Sequence, residues 1–162
     1  MFHDCVSHVM FSIAREEFIR HPHVIISLTT GKNEATRVPA SSGLNWGQRP
    51  GRNPNQAYLP VTAEIQRSNF FPPKGVSFTV LTDDGFKFDC IRAQQNGKAI
   101  HSSDNSQLGI YFRKRMGVGS GGLITLNRLL RYGRTNVTIY KKSEDVFVMD
   151  FSVDEKNKEQ IS

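Results

Sequence analysis

Apolar residues along this chain recur mostly at every second position, in short runs cut by Gly, Pro, Asn and Asp, which is the signature of strands rather than of long helices. Residues 23–29 (His-Val-Ile-Ile-Ser-Leu-Thr) are rich in β-branched side chains and predict a buried strand. Residues 76–81 and 86–91 alternate on either side of an Asp-Gly turn at 82–85, the pattern of a hairpin. Residues 136–140 and 146–151 predict a second, closing hairpin, and 58–61 a short strand. Residues 109–116 are expected to be a further strand, with Arg113 and Arg115 on one face and Lys114 on the other. Asn96-Gly97 signals another turn.

Helical periodicity is confined to short pieces. Phe11, Ile13, Ala14, Phe18 and Ile19 predict a helical lead-in over residues 1–22, ended by Pro22. Thr62 is a candidate N-cap for a short helix that stops before Pro72-Pro73, and Phe70 and Phe71 are expected in the core. Leu126, Leu129 and Leu130 predict a helix within 123–132, stopped by Gly133 after a flexible turn at 117–122. Residues 153–162 are charged and expected to fray. Some seven strands with two or three short helices make a mainly β fold, a small barrel or pseudobarrel spanning residues 23–152.

One stretch breaks the pattern. Residues 41–57 hold the only tryptophan, Trp46, with Arg49, Arg52, Asn45, Gln48, Asn53 and Asn55, and Pro50, Pro54 and three glycines exclude regular structure. Long irregular loops in compact domains usually have a task. Arginine pairs with guanine edges, and Asn or Gln with adenine edges, through two hydrogen bonds at once. The stretch is therefore either an arm that reaches into a DNA groove or a polar surface loop.

Charge favours the first reading. The chain has 162 residues, a formal charge of +6 and a sequence pI of about 9.5, which suits an anionic partner. From residue 106 to 143 there is no acid, while Arg113, Lys114, Arg115, Arg128, Arg131, Arg134, Lys141 and Lys142 lie there. Such a one-signed block either attracts a phosphate backbone or is a solvated face. Arg128 and Arg131 could clamp a phosphate or snorkel over Leu126 and Leu130. Cys5 and Cys90 do not form a metal-spaced pair, so a reduced, cytoplasmic protein is expected. No apolar run is long enough for a membrane span, and the start does not read as a signal peptide.

No catalytic constellation stands out. Gly109-Ile110-Tyr111 has no partner half-motif. Asp150 with Asp154-Glu155-Lys156 falls at the charged tail. His21-Pro-His23 lacks further ligands, and Asp83-Asp84-Gly85 suits a hairpin better than acid–base work.

The segment Ser42-Gly-Leu-Asn-Trp-Gly-Gln-Arg, continuing Pro-Gly-Arg-Asn-Pro-Asn-Gln-Ala-Tyr-Leu-Pro-Val, resembles the C-terminal part of restriction endonucleases of the NgoFVII group. Asn105-Ser-Gln-Leu-Gly-Ile-Tyr-Phe-Arg-Lys-Arg-Met-Gly and Leu130-Arg-Tyr-Gly-Arg-Thr resemble the same family, over roughly residues 24–152. The element order is also similar to that of plant B3 domains. The resemblance implies a seven-stranded open pseudobarrel whose two arms, residues 41–57 and 98–115, grip the major groove of double-stranded DNA. It places reading side chains at Asn45, Trp46, Gln48, Arg49, Arg52, Asn53 and Asn55, and at Lys98, His101, Ser103, Asp104, Asn105, Arg113 and Arg115. Trp46 either contacts a base or braces its arm. It further implies a prokaryotic type II restriction system, no cofactor for this domain, and a phospholipase-D-type nuclease domain or subunit as partner. That nuclease type uses a His-x-Lys motif, which this sequence lacks. Two alternatives stand beside DNA reading: a docking module with Trp46 as its anchor, and a small metal-dependent endonuclease.

Overall fold

The computed structural model describes residues 21–153. The expected lead-in helix, except for its last two residues, and the tail from residue 154 lie outside the described residues.

Seven strands form one sheet: β1 His23–Ser27, β2 Leu59–Pro60, β3 Phe78–Thr82, β4 Lys87–Ala93, β5 Ala99–Ser102, β6 Asn136–Lys141 and β7 Val146–Asp150. Their order is β1-β6-β7-β3-β4-β5-β2. The β3–β7 pair is parallel and the other five neighbours are antiparallel. The sheet curls until its edge strands β1 and β2 approach each other. The seam left between them is a groove of about 300 Å³ lined by Ile26, Leu28, Leu44, Tyr58 and Pro60. Pro60 tolerates this edge position because no ladder partner needs its missing N–H. The result is a nearly closed, mainly β pseudobarrel, as the pattern predicts.

Side-chain alternation fills the barrel. Phe78, Val80, Phe88, Cys90, Ile100, Val137, Ile139, Phe147 and Met149 turn inward and are buried. Phe70 and Phe71 close one end, packing on each other at 4.9 Å and on Phe147 at 5.6 and 5.1 Å. They follow helix α1 (Ala63–Arg67), whose first turn is capped by the Thr62 hydroxyl accepting from Ile65 N at 3.3 Å. Helices α2 (Gln107–Met116) and α3 (Leu126–Tyr132) lie between β5 and β6. Thr125 caps α3, and Gly133 ends it with φ 108°.

One predicted element is wrong. Residues 109–116 are not a strand but most of α2. Leu108, Tyr111 and Phe112 fall at i, i+3 and i+4 and bury one helical face, only Ile110 is β-branched, and Gly117 supplies a left-handed C-terminal stop. The seventh strand is instead β5, which lies at the start of the expected second arm, residues 98–115. Its four residues are strand because β4 and β2 flank them on both sides. Arg113 and Arg115 therefore do not share a strand face.

Cys90 sits inside the barrel, 2 % exposed, and burial, followed by the nearby charge of Asp89, pushes its thiol up to about 12 from an ordinary 9.0. The folded state thus holds this proton more tightly than the unfolded chain. Its contribution to stability is complete below pH 9.0 and is lost as pH rises toward about 12. In a Cys5→Ser variant, a thiol reagent at pH 8 is expected to label Cys90 slowly in the native protein and rapidly in urea. Fast native labelling would contradict this burial.

Candidate nucleic-acid interface

The long β1–β2 connection is a built structure. Thr30 and Arg37 pair through both backbone hydrogen bonds and close its first half into a small hairpin. Its second half winds through a 3₁₀ turn, Gly43–Gln48, kinked at Asn45. Asn45 is fully buried. Its amide donates to Pro39 O at 2.9 Å and Ile124 O at 2.7 Å and accepts from Ile124 N at 2.9 Å. Gln48 donates to Pro54 O and Gly121 O. Asn55, also buried, donates to the Ser120 hydroxyl and accepts from Gly121 N. Ala57 N bonds to Asn105 O. Close approach demands glycine at two points: a Cβ on Gly47 would lie 2.2 Å from Asn53 O, and one on Gly109 would lie 1.7 Å from Asn55 O. Asn45, Gln48 and Asn55, expected among the readers, thus hold the arm to the 117–125 segment.

Arg113 and Arg115 are likewise internal. Arg113 is 1 % exposed and donates to Gly122 O, Gly109 O and Leu44 O, which ties α2 to the arm. Burial lowers its pKa. Arg115 makes a two-pronged ion pair with Asp83 and reaches Asp84 at 3.1 Å and the Tyr111 hydroxyl at 2.5 Å. Burial pulls the Arg115 pKa down, but the Asp83 hydrogen bond and the charge interactions with Tyr111, Asp83 and Tyr132 together outweigh it and the net shift is upward. Asp83 also accepts from Phe151 N. Here the hairpin reading of Asp83 and Asp84 gains a second role, anchoring the end of α2.

What remains at the surface is a smaller, ordered set. Trp46 is half-buried and lies against Tyr58 (5.4 Å, edge-on) and His101 (6.0 Å). It therefore lies at one side of the outer face of β2 and β5, leaving Tyr58 and His101 partly exposed. The Arg52 guanidinium lies 4.2 Å over the indole and bonds to Gln56 Oε1 at 3.0 Å. Arg49 is exposed and donates to Ser41 O, and Asn53 is exposed with its carbonyl oxygen accepting from Asn55 N. Across the sheet, Lys98, Ser103 and Asp104 are exposed and His101 and Asn105 half-buried. Asp104 accepts from Ser106 side chain and backbone, which lowers its pKa.

Strand direction fixes the layout. The β1–β2 connection leaves one end of the barrel and the β4–β5 turn leaves the other, because β2, β5 and β4 are successively antiparallel. Two prongs thus flank an outer face carrying Tyr58, His101 and Ile91. At that second end stands the 94–98 turn, whereas residues 98–115, expected as the second arm, are β5, the turn after it and most of α2. Gln94 and Asn96 take φ of 65° and 61°, and Arg92 braces the turn by donating to Gly97 O and Pro72 O. Gln95 and Asn96 are exposed at its tip. Asn96-Gly97 is the turn its sequence signals, and the strand pairing places it at the opposite end of β5 from the arm.

The comparison with protein families meets this geometry. The model described as the NgoFVII C-terminal B3-like DNA-binding domain matches residues 15–143. This chain belongs to that family. No curated protein matches it. The B3-like domain is thus a DNA-binding part of a restriction-enzyme family, and DNA is its partner. The match begins within the expected lead-in. Among the described residues, no helix of the B3-like domain is long and apolar enough to cross a membrane, and no cluster of three metal-ligating side chains occurs.

Two classes of arginine follow. Arg113→Leu and Arg115→Leu are each expected to cost about 3–5 kcal/mol of unfolding free energy, since each strands buried polar partners. Arg49→Ala and Arg52→Ala should stay within about 1 kcal/mol of the parent. Urea denaturation distinguishes them, and equal effects in both classes would contradict the assignment.

Proposed function

We propose that this B3-like domain reads a specific sequence in double-stranded DNA by placing its two prongs in the major groove, as the target-recognition part of a prokaryotic type II restriction endonuclease. The observation that carries the reading is the outer face of β2, β5 and β4, flanked by exposed Arg49, Arg52 and Asn53 on one side and Gln95, Asn96 and Lys98 on the other. Arginines and amides are the groups that specify bases, and lysines and other arginines hold phosphates. The polar scaffold behind the prongs fixes them before DNA arrives, which lowers the ordering cost of binding. Docking of a protein onto Trp46 is the weaker reading, because Arg52 already covers that ring. Cleavage belongs to a phospholipase-D-type nuclease domain or subunit, since the chain lacks His-x-Lys. The recognition step itself calls for no cofactor.

Selection from randomised duplexes is expected to return a defined site. If about six phosphates are engaged, log affinity should fall against log salt with a slope near −5. Arg49→Ala and Arg52→Ala should each weaken cognate binding by about 1–3 kcal/mol if they contact bases. No enriched sequence and a slope near zero would defeat the proposal.

A further inference from the structure

Building on that reading, we infer that His101 is a specificity-determining residue whose neutral ring accepts a hydrogen bond from the exocyclic amine of a cytosine or adenine. β5 sets this ring in the middle of the outer face, between the prongs and beside Trp46. Its Nδ1 lies 2.8 Å from the carbonyl oxygen of Ser102. A carbonyl only accepts, so the neutral ring keeps its single proton on Nδ1, and Nε2 carries a bare lone pair. Among the described residues, no donor hydrogen-bonds to Nε2.

In the major groove, cytosine N4 and adenine N6 are the donors; guanine N7 and O6 and thymine O4 are acceptors. An Nε2 lone pair therefore favours C or A and is repelled by G or T at the position it faces. The surrounding cations Arg49, Arg52 and Lys98 are donors only, so His101 adds an acceptor that they cannot provide.

Protonation reverses the chemistry. The charged and titratable groups nearest the ring in the fold are Arg52 over Trp46, Tyr58 before β2, Asp89 two residues from the β4 partner Ile91, and Lys98 and Asp104 three residues to either side of His101. Of these side-chain types, only imidazole ordinarily changes charge between pH 5 and 8. An imidazolium has no lone pair to offer a base amine, yet it adds a cation near phosphates. Specific and non-specific binding must then move in opposite directions as pH falls, whereas a plain phosphate contact would strengthen both.

The test measures binding of the full chain to its selected duplex and to a scrambled one, from pH 8.0 to 5.5 at fixed ionic strength. Parent, His101→Gln and His101→Ala are compared, with folding checked by thermal melting. For the parent, cognate affinity is expected to fall about tenfold in acid, within the range for one base contact, while scrambled binding holds or tightens. His101→Gln, whose carbonyl oxygen accepts without titrating, should keep most cognate affinity and lose the pH dependence. His101→Ala should lose about tenfold at pH 8.0 and relax selection at one C or A position. Cognate binding that tightens in acid, or a His101→Ala variant with the parent's selectivity and pH profile, overturns the role of His101 while leaving DNA reading intact. A parent that selects no sequence overturns both.

Discussion

A long irregular loop keeps one shape only if its backbone polar groups find partners inside the protein, and everything distinctive about this domain rests on that constraint. The stretch 41–57 contains two prolines and three glycines and makes no strand. It is held instead by side chains acting as substitute backbone. Asn45 bridges Pro39 and Ile124 across the sequence, Asn55 clasps Ser120 and Gly121, and the Arg113 guanidinium gathers three carbonyls from α2, the arm and the following turn. Each is costly to remove because it leaves several buried groups unsatisfied at once.

The same constraint sorts residues of one type into different tasks. Arg113 is a buried tie, Arg115 is locked on Asp83, Arg92 braces the β4–β5 turn, and Arg49 and Arg52 remain at the surface. Rigidity at the base of the arm then supports the exposed pair at its tip. Trp46 joins the two levels: it packs on Tyr58 and His101 below and carries Arg52 above. The open seam between β1 and β2 lies at the foot of this arrangement, so the place where the barrel fails to close is also where the arm begins.

Much of this was legible in the sequence. The strands around the two hairpins, the Phe70–Phe71 plug and the Thr62 cap follow from alternation and local chemistry, and the arm from its composition. The family likeness in 42–61 and 105–117 pointed to the pseudobarrel that the structure contains. The losses have a common cause. Whether an amide or guanidinium faces water or a carbonyl depends on residues about seventy positions away, as with Asn45 and Ile124 or Gln48 and Gly121. Composition carries no trace of that. In residues 109–116 the charges of Arg113, Lys114 and Arg115 mask the helical spacing of Leu108, Tyr111 and Phe112, which carries the structural information. β5 was missed because a strand of four residues draws its identity from its neighbours.

The internal hydrogen bonds of the arm give it its final shape before DNA arrives. Amide hydrogen exchange in the free protein tests this most directly. Gly47 N, bonded to Gln56 O, and Ala57 N, bonded to Asn105 O, are the reporters. The account predicts protection of these amides comparable to that of β4 and β6 in the absence of DNA. Rapid exchange at both, slowing only when a duplex is added, would contradict it.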